Sequence, residues 1–473
     1  MQKKYKRLLS NSILFLLAQF GSKVLMLLVV PFYTYLLSPA EFGTIELSTT
    51  TLTIAAPICM LLIYDAVLRF SMSTDLSKVN VFTAALKVWG IGSLFTLIVL
   101  PISCLIPALQ PYAVLVYFLI VSYGLFYTIT QFAKGIDVNA YVLSGVIYTV
   151  LFLCGNIYFI VYLQQGVFGY ILSQVLGYIL AACFCIVRIK AWKYIDFGAY
   201  TQDTTKQMLN YSMLLIPNAL VWWIIASANR YFIEYFIGAD ANGVFGIAAK
   251  IPNIITIVGT ILIQAWQLSA IEEKEMHADV ESQSAFYTNV FDIYATGLII
   301  GSSFLILICR PILTVVLSED FKVAWIYVPW LLLSAIYMMY AQYWSSLFVA
   351  EKSTKELSSS SIIVGLLSLA LNGLLIPKLG LLGAALGCFI SCFVMWIIRM
   401  IAAKRFKMIK VDLKREISAL FLLVVQSIFC IQADGMTSLI TGGIVFVLLC
   451  VLYRKTIKGV IELAYKMLGG KLK

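Results

Sequence analysis

The chain has 473 residues, of which 62% are hydrophobic and only 12% charged, with a mean hydropathy of +0.95, whereas soluble domains carry about 25% charged residues. That balance excludes a water-soluble enzyme and makes lipid the solvent for most of the chain. In lipid every backbone N–H and C=O needs an internal partner, so only helices or closed barrels span, and the apolar runs here far exceed the roughly 10 residues of a barrel strand.

At about 20 apolar residues per crossing, fourteen helical spans are predicted. The first seven lie near residues 12–37, 44–68, 80–104, 112–133, 138–163, 167–187 and 209–236. Seven more follow near 241–268, 286–309, 323–349, 357–377, 380–402, 417–432 and 436–453. The first run has no small-residue cleavage pattern and leads into many others, so it reads as a span and not as a removable signal. The inner connections near 188–208, 269–285 and 403–416 are too short for folded catalytic domains.

Orientation follows from Lys and Arg in the connections, because cytoplasmic loops hold the positive excess. With the N-terminus inside, the inner segments hold twenty-six cations, beginning with Lys3, Lys4, Lys6 and Arg7, and the outer loops hold only Arg310, Lys322 and Lys378. Both termini are therefore predicted to be cytoplasmic, and the net charge of +11 is a signature of topology, not of nucleic-acid binding. Of the ten cysteines, Cys59, Cys154, Cys183, Cys185, Cys388, Cys392, Cys430 and Cys450 fall inside apolar runs and Cys104 and Cys309 near run ends, the pattern of small core residues. The lone His277 lies in a charged loop, so no His-based metal site can be assembled.

Two segment pairs recur. PFYTYLLSPAEFG, Pro31 to Gly43, matches NRYFIEYFIGADANG, ending at Gly243, and each follows a span that starts with an asparagine, Asn11 or Asn210. NIYFIVYLQQGVFG, Asn156 to Gly169, matches NGLLIPKLGLLG, Asn372 to Gly383. Both pairs begin on the same face, which predicts a parallel duplication about an axis along the membrane normal. The expected organisation is an N-terminal lobe over 1–190, a cytoplasmic linker over 191–208, a C-terminal lobe over 209–402, and two added spans with a basic tail over 403–473.

Eight charged residues inside the expected spans are singled out: Lys23, Glu46, Asp65, Lys87, Arg230, Glu234, Lys250 and Asp292. Each costs about 2.5 to 3.5 kcal/mol at the bilayer centre on the insertion scale, so most must face a wet cavity or one another. Arg230 with Glu234, and Asp65 with Arg69, stand four apart and can neutralise themselves as helix pairs. Glu46 and Glu234 near the outer surface, and Arg69 near the inner one, can also reach headgroups. Lys23 and Lys250 have no carboxylate three or four residues away, and Lys87 is similarly deep. Such cations suit a transported phosphate or acidic sugar; a structural lysine bonded to carbonyls is the alternative. Asp65 and Asp292, with Glu46 and Glu234, are candidates to bind a coupling H⁺ or Na⁺; no other cofactor is expected. Gly21, Pro31, Pro57, Pro217, Gly259 and Pro329 allow bends within spans.

The opening stretch with LAQFGSKVLMLLVVPFYTYLLSPAEFG and a second span ending in AVLRF resembles the Wzx-like polysaccharide flippases of the multidrug/oligosaccharidyl-lipid/polysaccharide exporter superfamily. GVFGIAAKIPNI and LNGLLIPKLGLLGAALG carry the same resemblance, which extends over about residues 8–400. It implies an all-α membrane fold of two pseudo-symmetric six-helix lobes in a V, with two C-terminal helices, working by alternating access. The implied cargo is an undecaprenyl-diphosphate-linked oligosaccharide, flipped to the outer leaflet of the bacterial inner membrane for capsule, O-antigen or exopolysaccharide assembly, with the polymerase and glycosyltransferases of that pathway as partners. The family's cationic cavity would map onto Lys23, Arg230 and Lys250, with Lys87 and Arg69 beside them. The departure is a lysine-rich set, which lacks the bidentate fork of arginine. A lipid II flippase or a multidrug-type antiporter of the same superfamily remains open, as does a membrane glycosyltransferase or polymerase, although the outer loops carry only Glu41, Asp240, Glu319, Asp320 and Asp434 as acids.

Overall fold

The computed structural model describes residues 29–73, 76–198, 202–276, 280–350, 354–404 and 409–469, and every regular element among them is helical. Asn11, Gly21, Lys23 and His277 lie outside the described residues. Ten helices are long and apolar enough to cross a membrane, or up to thirteen if each of three bent pairs counts as one crossing. Each overlaps one of the spans expected after the first. The chain forms two compact units, residues 1–234 with 238–243, and residues 235–237 with 244–473.

In the first unit, α1 (described over 29–36) is followed by α2 (Pro39–Cys59), whose start is dictated locally. Ser38 accepts from the Glu41 N–H at 3.3 Å while its own N–H donates to Glu41 Oε2 at 2.8 Å, with Pro39 at the first helical position. The run breaks after Cys59: Leu61 and Leu62 both take φ of 50°, and α3 (Ile63–Ser71) leaves at 60° to α2. Pro57, two residues before the end of α2, removes one donor from the ladder just ahead of this break. The unit continues through α4 (Lys78–Phe95), α5 (Val99–Cys104), α6 (Ala113–Ile136), α7 (Val138–Asn156), α8 (Gly166–Ile189), α9 (Gln202–Met213), α10 (Ile216–Ser227) and α11 (Asn229–Phe236). Its centre is aromatic. Tyr123 meets Tyr178 edge-on at 5.6 Å and Tyr148 stacks on Tyr178 at 4.3 Å, joining α6, α7 and α8. Lipid tails are as apolar as leucine, so close packing of this kind and polar bonds across helices, more than exclusion of water, hold the unit together.

The second unit takes in the latter half of α12 (Ala239–Ala248), then α13 (Pro252–Met276), α14 (Val280–Val316), α15 (Val328–Ala350), α16 (Thr354–Leu379), α17 (Leu381–Ala403), α18 (Leu413–Gln432), α19 (Gly435–Leu452) and α20 (Arg454–Gly469). The α12–α13 pair bends by 48°. Gln426 on α18, 1% exposed, accepts from Ser303 Oγ on α14 at 2.8 Å and donates to the Gly442 carbonyl of α19 at 3.2 Å, tying three helices at one level.

One cation assigned to an outer loop by the sequence belongs to a helix. α14 runs through Arg310 and Pro311 to Val316, and the Arg310 guanidinium lies 4.5 Å from the Trp325 ring while donating to the Ala433 carbonyl. Arg399, inside the expected span 380–402 but not among the eight charges singled out there, is fully buried on α17. It donates to the Ala341 carbonyl at 2.9 Å and to the hydroxyls of Ser345, Ser360 and Ser361 at 2.6, 3.2 and 2.9 Å. A hydroxyl-rich face can satisfy a guanidinium's five donors without placing it in water.

The repeated motifs play matching roles. A Cβ added to Gly43 would collide with the Ala239 carbonyl and the Gly243 nitrogen; one added to Gly243 would collide with the Pro39 carbonyl and the Gly43 nitrogen. The two segments therefore meet backbone to backbone through equivalent residues, the reciprocity made by a pseudo-two-fold contact. Likewise Gly169 lets α8 approach the backbone of Phe159, and Gly383 lets α17 approach that of Leu375.

Candidate functional site

α2 carries the run TIELSTTTLT, Thr44 to Thr53, in which Glu46, Thr50 and Thr53 stand at i, i+4 and i+7 and so share one face. Against it α10 and α11 bring Trp223, Arg230 and Tyr231. Trp223 Nε1 donates to the Thr50 carbonyl and to Thr53 Oγ1, each at 3.2 Å, and the Tyr231 hydroxyl lies 2.8 Å from Thr51 Oγ1. Arg230, 8% exposed, reaches Glu46 at 3.3 Å and donates to the Asn242 carbonyl at 3.1 Å, while Asn242 Nδ2 returns a bond to the Arg230 carbonyl at 3.2 Å. The expected pairing of Arg230 with Glu234 is not formed. Arg230 lies on the buried face of α11, together with Asn229 and Ile233, so it meets α2 and not its own helix. Glu234 has a buried Oε2 with no hydrogen-bond partner.

Of the remaining intramembrane charges, Asp65, Arg69 and Lys87 are dispersed over the first unit and Lys250 belongs to the second. Asp65, in the first turn of α3 just past the 60° break, is half-buried, and Arg69 is exposed with its guanidinium 4.9 Å from the Tyr211 ring. The expected helix pair between them is absent. Lys87 is exposed on α4 and lines a cavity walled by α2, α4 and α9. Lys250 is half-buried in the three-residue break between α12 and α13, where the backbone turns through 48°. A lysine at such a break stands beside carbonyls released from the helical ladder, a place where water or a polar solute is tolerated at membrane depth.

In the second unit Asp292 on α14 forms an ion pair with Arg415 on α18, their side chains 25% and 15% exposed. Arg415 also reaches Glu416 at 3.5 Å, and Glu416, 3% exposed, accepts from the hydroxyls of Tyr340 and Tyr453, each at 2.9 Å. Reading the sequence span by span picks out Asp292 but misses Arg415, Glu416 and the two tyrosines, since Arg415 and Glu416 stand at the edge of an apolar run and resemble loop charges. The available signal was the adjacent Arg–Glu pair directly abutting that run. Among the described residues no group of three or more His, Cys, Asp or Glu side chains is placed to hold a metal ion.

Solved structures of similar fold include a flippase and transporters. A lipid II flippase MurJ in an inward closed conformation matches with a TM-score of 0.63 at 16% identity, over 94% of this chain and 100% of that one. A MOP superfamily transporter from Pyrococcus furiosus Vc1 matches with a TM-score of 0.57 at 15% identity, over 84% and 95% of the two chains. An outward-facing multidrug resistance MATE family transporter matches with a TM-score of 0.56 at 15% identity, over 84% and 96%. These identities establish the shared fold alone. No curated protein sequence matches the chain. The family model for polysaccharide biosynthesis proteins matches residues 8–267, more than half of the length, and the chain belongs to that family.

Proposed function

We propose that the protein is a flippase that moves an undecaprenyl-diphosphate-linked oligosaccharide from the inner to the outer leaflet of the bacterial cytoplasmic membrane, by alternating access and without covalent chemistry on its cargo. The observation that carries this reading is a polysaccharide-biosynthesis family match on a chain whose described residues are almost entirely membrane helix and whose fold is that of flippases and exporters. A synthesis pathway that makes lipid-linked sugar on one face and assembles it on the other requires such a step. Lys23, Arg230 and Lys250, with Lys87 and Arg69, are the proposed contacts to the diphosphate and acidic sugars. Asp65, Asp292, Glu46 and Glu234 are the proposed groups for an H⁺ or Na⁺ that drives the cycle. Both termini are placed in the cytoplasm, where the positive excess of the connections belongs, and the partner enzymes are the glycosyltransferases and polymerase that make and consume the cargo.

The test is complementation of a strain lacking its polysaccharide flippase, with the lipid-linked intermediate assayed on each leaflet. Restored outward transfer with wild-type protein, and its loss in Lys23→Ala and Lys250→Ala variants that still insert, is the expected outcome. Accumulation of new glycosidic product with purified protein alone would refute it in favour of a synthase. A second reading, transport of lipid II, is favoured by the similarity to MurJ over the full length of that chain; rescue of a strain depleted of its lipid II flippase, without rescue of surface polysaccharide, would select it.

A further inference from the structure

The first unit contains a cavity of about 640 Å³ that the Arg230 cluster does not share. Its walls follow one pattern on two helices. On α4 the lining residues Lys87, Ile91 and Phe95 stand four apart, a single stripe that begins cationic and continues apolar for about 12 Å at 1.5 Å per residue. On α9 the lining runs from Gln202 through Lys206 and Asn210 to Met213, again polar first and apolar after. By the topology read from the sequence, both helices start from the same side of the membrane. The two gradients then run in the same direction. Ile91, Phe95 and Met213 are 60%, 52% and 51% exposed, so the apolar end is open and not packed against protein.

A site for free phosphate would need the two lysines and no apolar wall, and a site for a hydrocarbon would need the wall and no lysines. Both together, ordered along the membrane normal, match an amphiphile with an anionic head. The volume lies within the roughly 300–1,000 Å³ usual for ligand sites. We propose that this cavity holds an anionic phospholipid of the bilayer, its phosphate between Lys87 and Lys206 and a chain lying along Ile91, Phe95 and Met213. On this assignment Lys87 serves a resident lipid in place of the cargo's diphosphate, and the site stands whichever lipid-linked substrate the protein carries.

The test uses full-length protein, purified in detergent, stripped of lipid and titrated with phosphatidylglycerol or phosphatidylcholine of identical acyl chains, with bound lipid read by native mass spectrometry. Each lysine near an anionic headgroup contributes severalfold in affinity, so phosphatidylglycerol should bind about tenfold or more tightly than phosphatidylcholine. The double variant Lys87→Gln/Lys206→Gln should lose that preference, and Lys87→Arg/Lys206→Arg should keep it, which separates loss of charge from loss of fold. Met213→Trp, at an exposed position, should weaken phosphatidylglycerol binding without changing charge. Equal binding of the two lipids by the wild type overturns the proposal. So does an unchanged preference in the double glutamine variant, unchanged binding in Met213→Trp, or displacement of phosphatidylglycerol by millimolar inorganic phosphate.

Discussion

Removing both members of the Glu46–Arg230 pair should cost less than the two single removals added together. The two side chains are 14% and 10% exposed and 3.3 Å apart, which at an effective dielectric of about 20 gives a gross attraction of about 5 kcal/mol. Desolvation offsets most of that, so the net value of the intact pair is small. Arg230→Met takes the guanidinium away from the Glu46 carboxylate on α2, and Glu46→Gln takes the carboxylate away from the guanidinium, which keeps the Asn242 carbonyl as an acceptor. Each single change should destabilise the protein by about 3 to 5 kcal/mol, the usual cost of an uncompensated buried charge. The double variant Glu46→Gln/Arg230→Met should fall short of the sum of the two by about 2 kcal/mol or more. Thermal unfolding in detergent measures this through the reactivity of the buried thiols Cys59, Cys185, Cys309, Cys392 and Cys430 above the baseline set by the exposed Cys104, Cys154 and Cys183. Additive single effects within about 0.5 kcal/mol would show that the two charges do not act as a pair, and the account of α11 docking on α2 through them would fail.

Three further outcomes are expected. Gly43→Val places side-chain carbons where the Ala239 carbonyl and Gly243 nitrogen lie, so it should destabilise the first unit by about 2 kcal/mol or more, whereas the same change at Gly145, where nothing lies near an added Cβ, should be close to neutral; thermal melts compare the two. Asp292→Asn should leave Arg415 facing Glu416 at 3.5 Å and loosen α18 from α14, a change that hydrogen exchange at the start of α18 would detect and that Arg415→Met combined with Asp292→Asn should partly reverse. Arg399→Lys keeps the charge but loses the fork that reaches Ser345, Ser360 and Ser361 together, so it should cost about 2 kcal/mol; an unchanged melting temperature would show that charge alone matters there.

How much was legible in advance depends on the range of the interaction responsible. The helical class, the approximate span limits and the two repeated motifs follow from the residues in order, because lipid forces every segment to close its own backbone bonds and hydropathy is a property of a local window. The glycine at each motif was visible as a matched letter. That Gly43 and Gly243 face each other was not, since the match states similarity and not contact. The i, i+4 rule suggested self-neutralised pairs at Arg230–Glu234 and Asp65–Arg69; both fail because a residue's face on its helix decides which neighbour it meets. Arg230 meets Glu46 on another helix, and Asp292 meets Arg415 from 123 residues away. Arg399 lies inside an expected span, but the serines of α15 and α16 that close around it cannot be read from chain order. The sequence by itself therefore determined that this chain lives in lipid as helices and where most of them lie, because those outcomes depend on short-range solvation. Only the tertiary structure decided which buried charges are partnered and which line a cavity, because a charge in a low-dielectric medium is governed by whatever lies within a few ångströms, and chain order does not encode that neighbour.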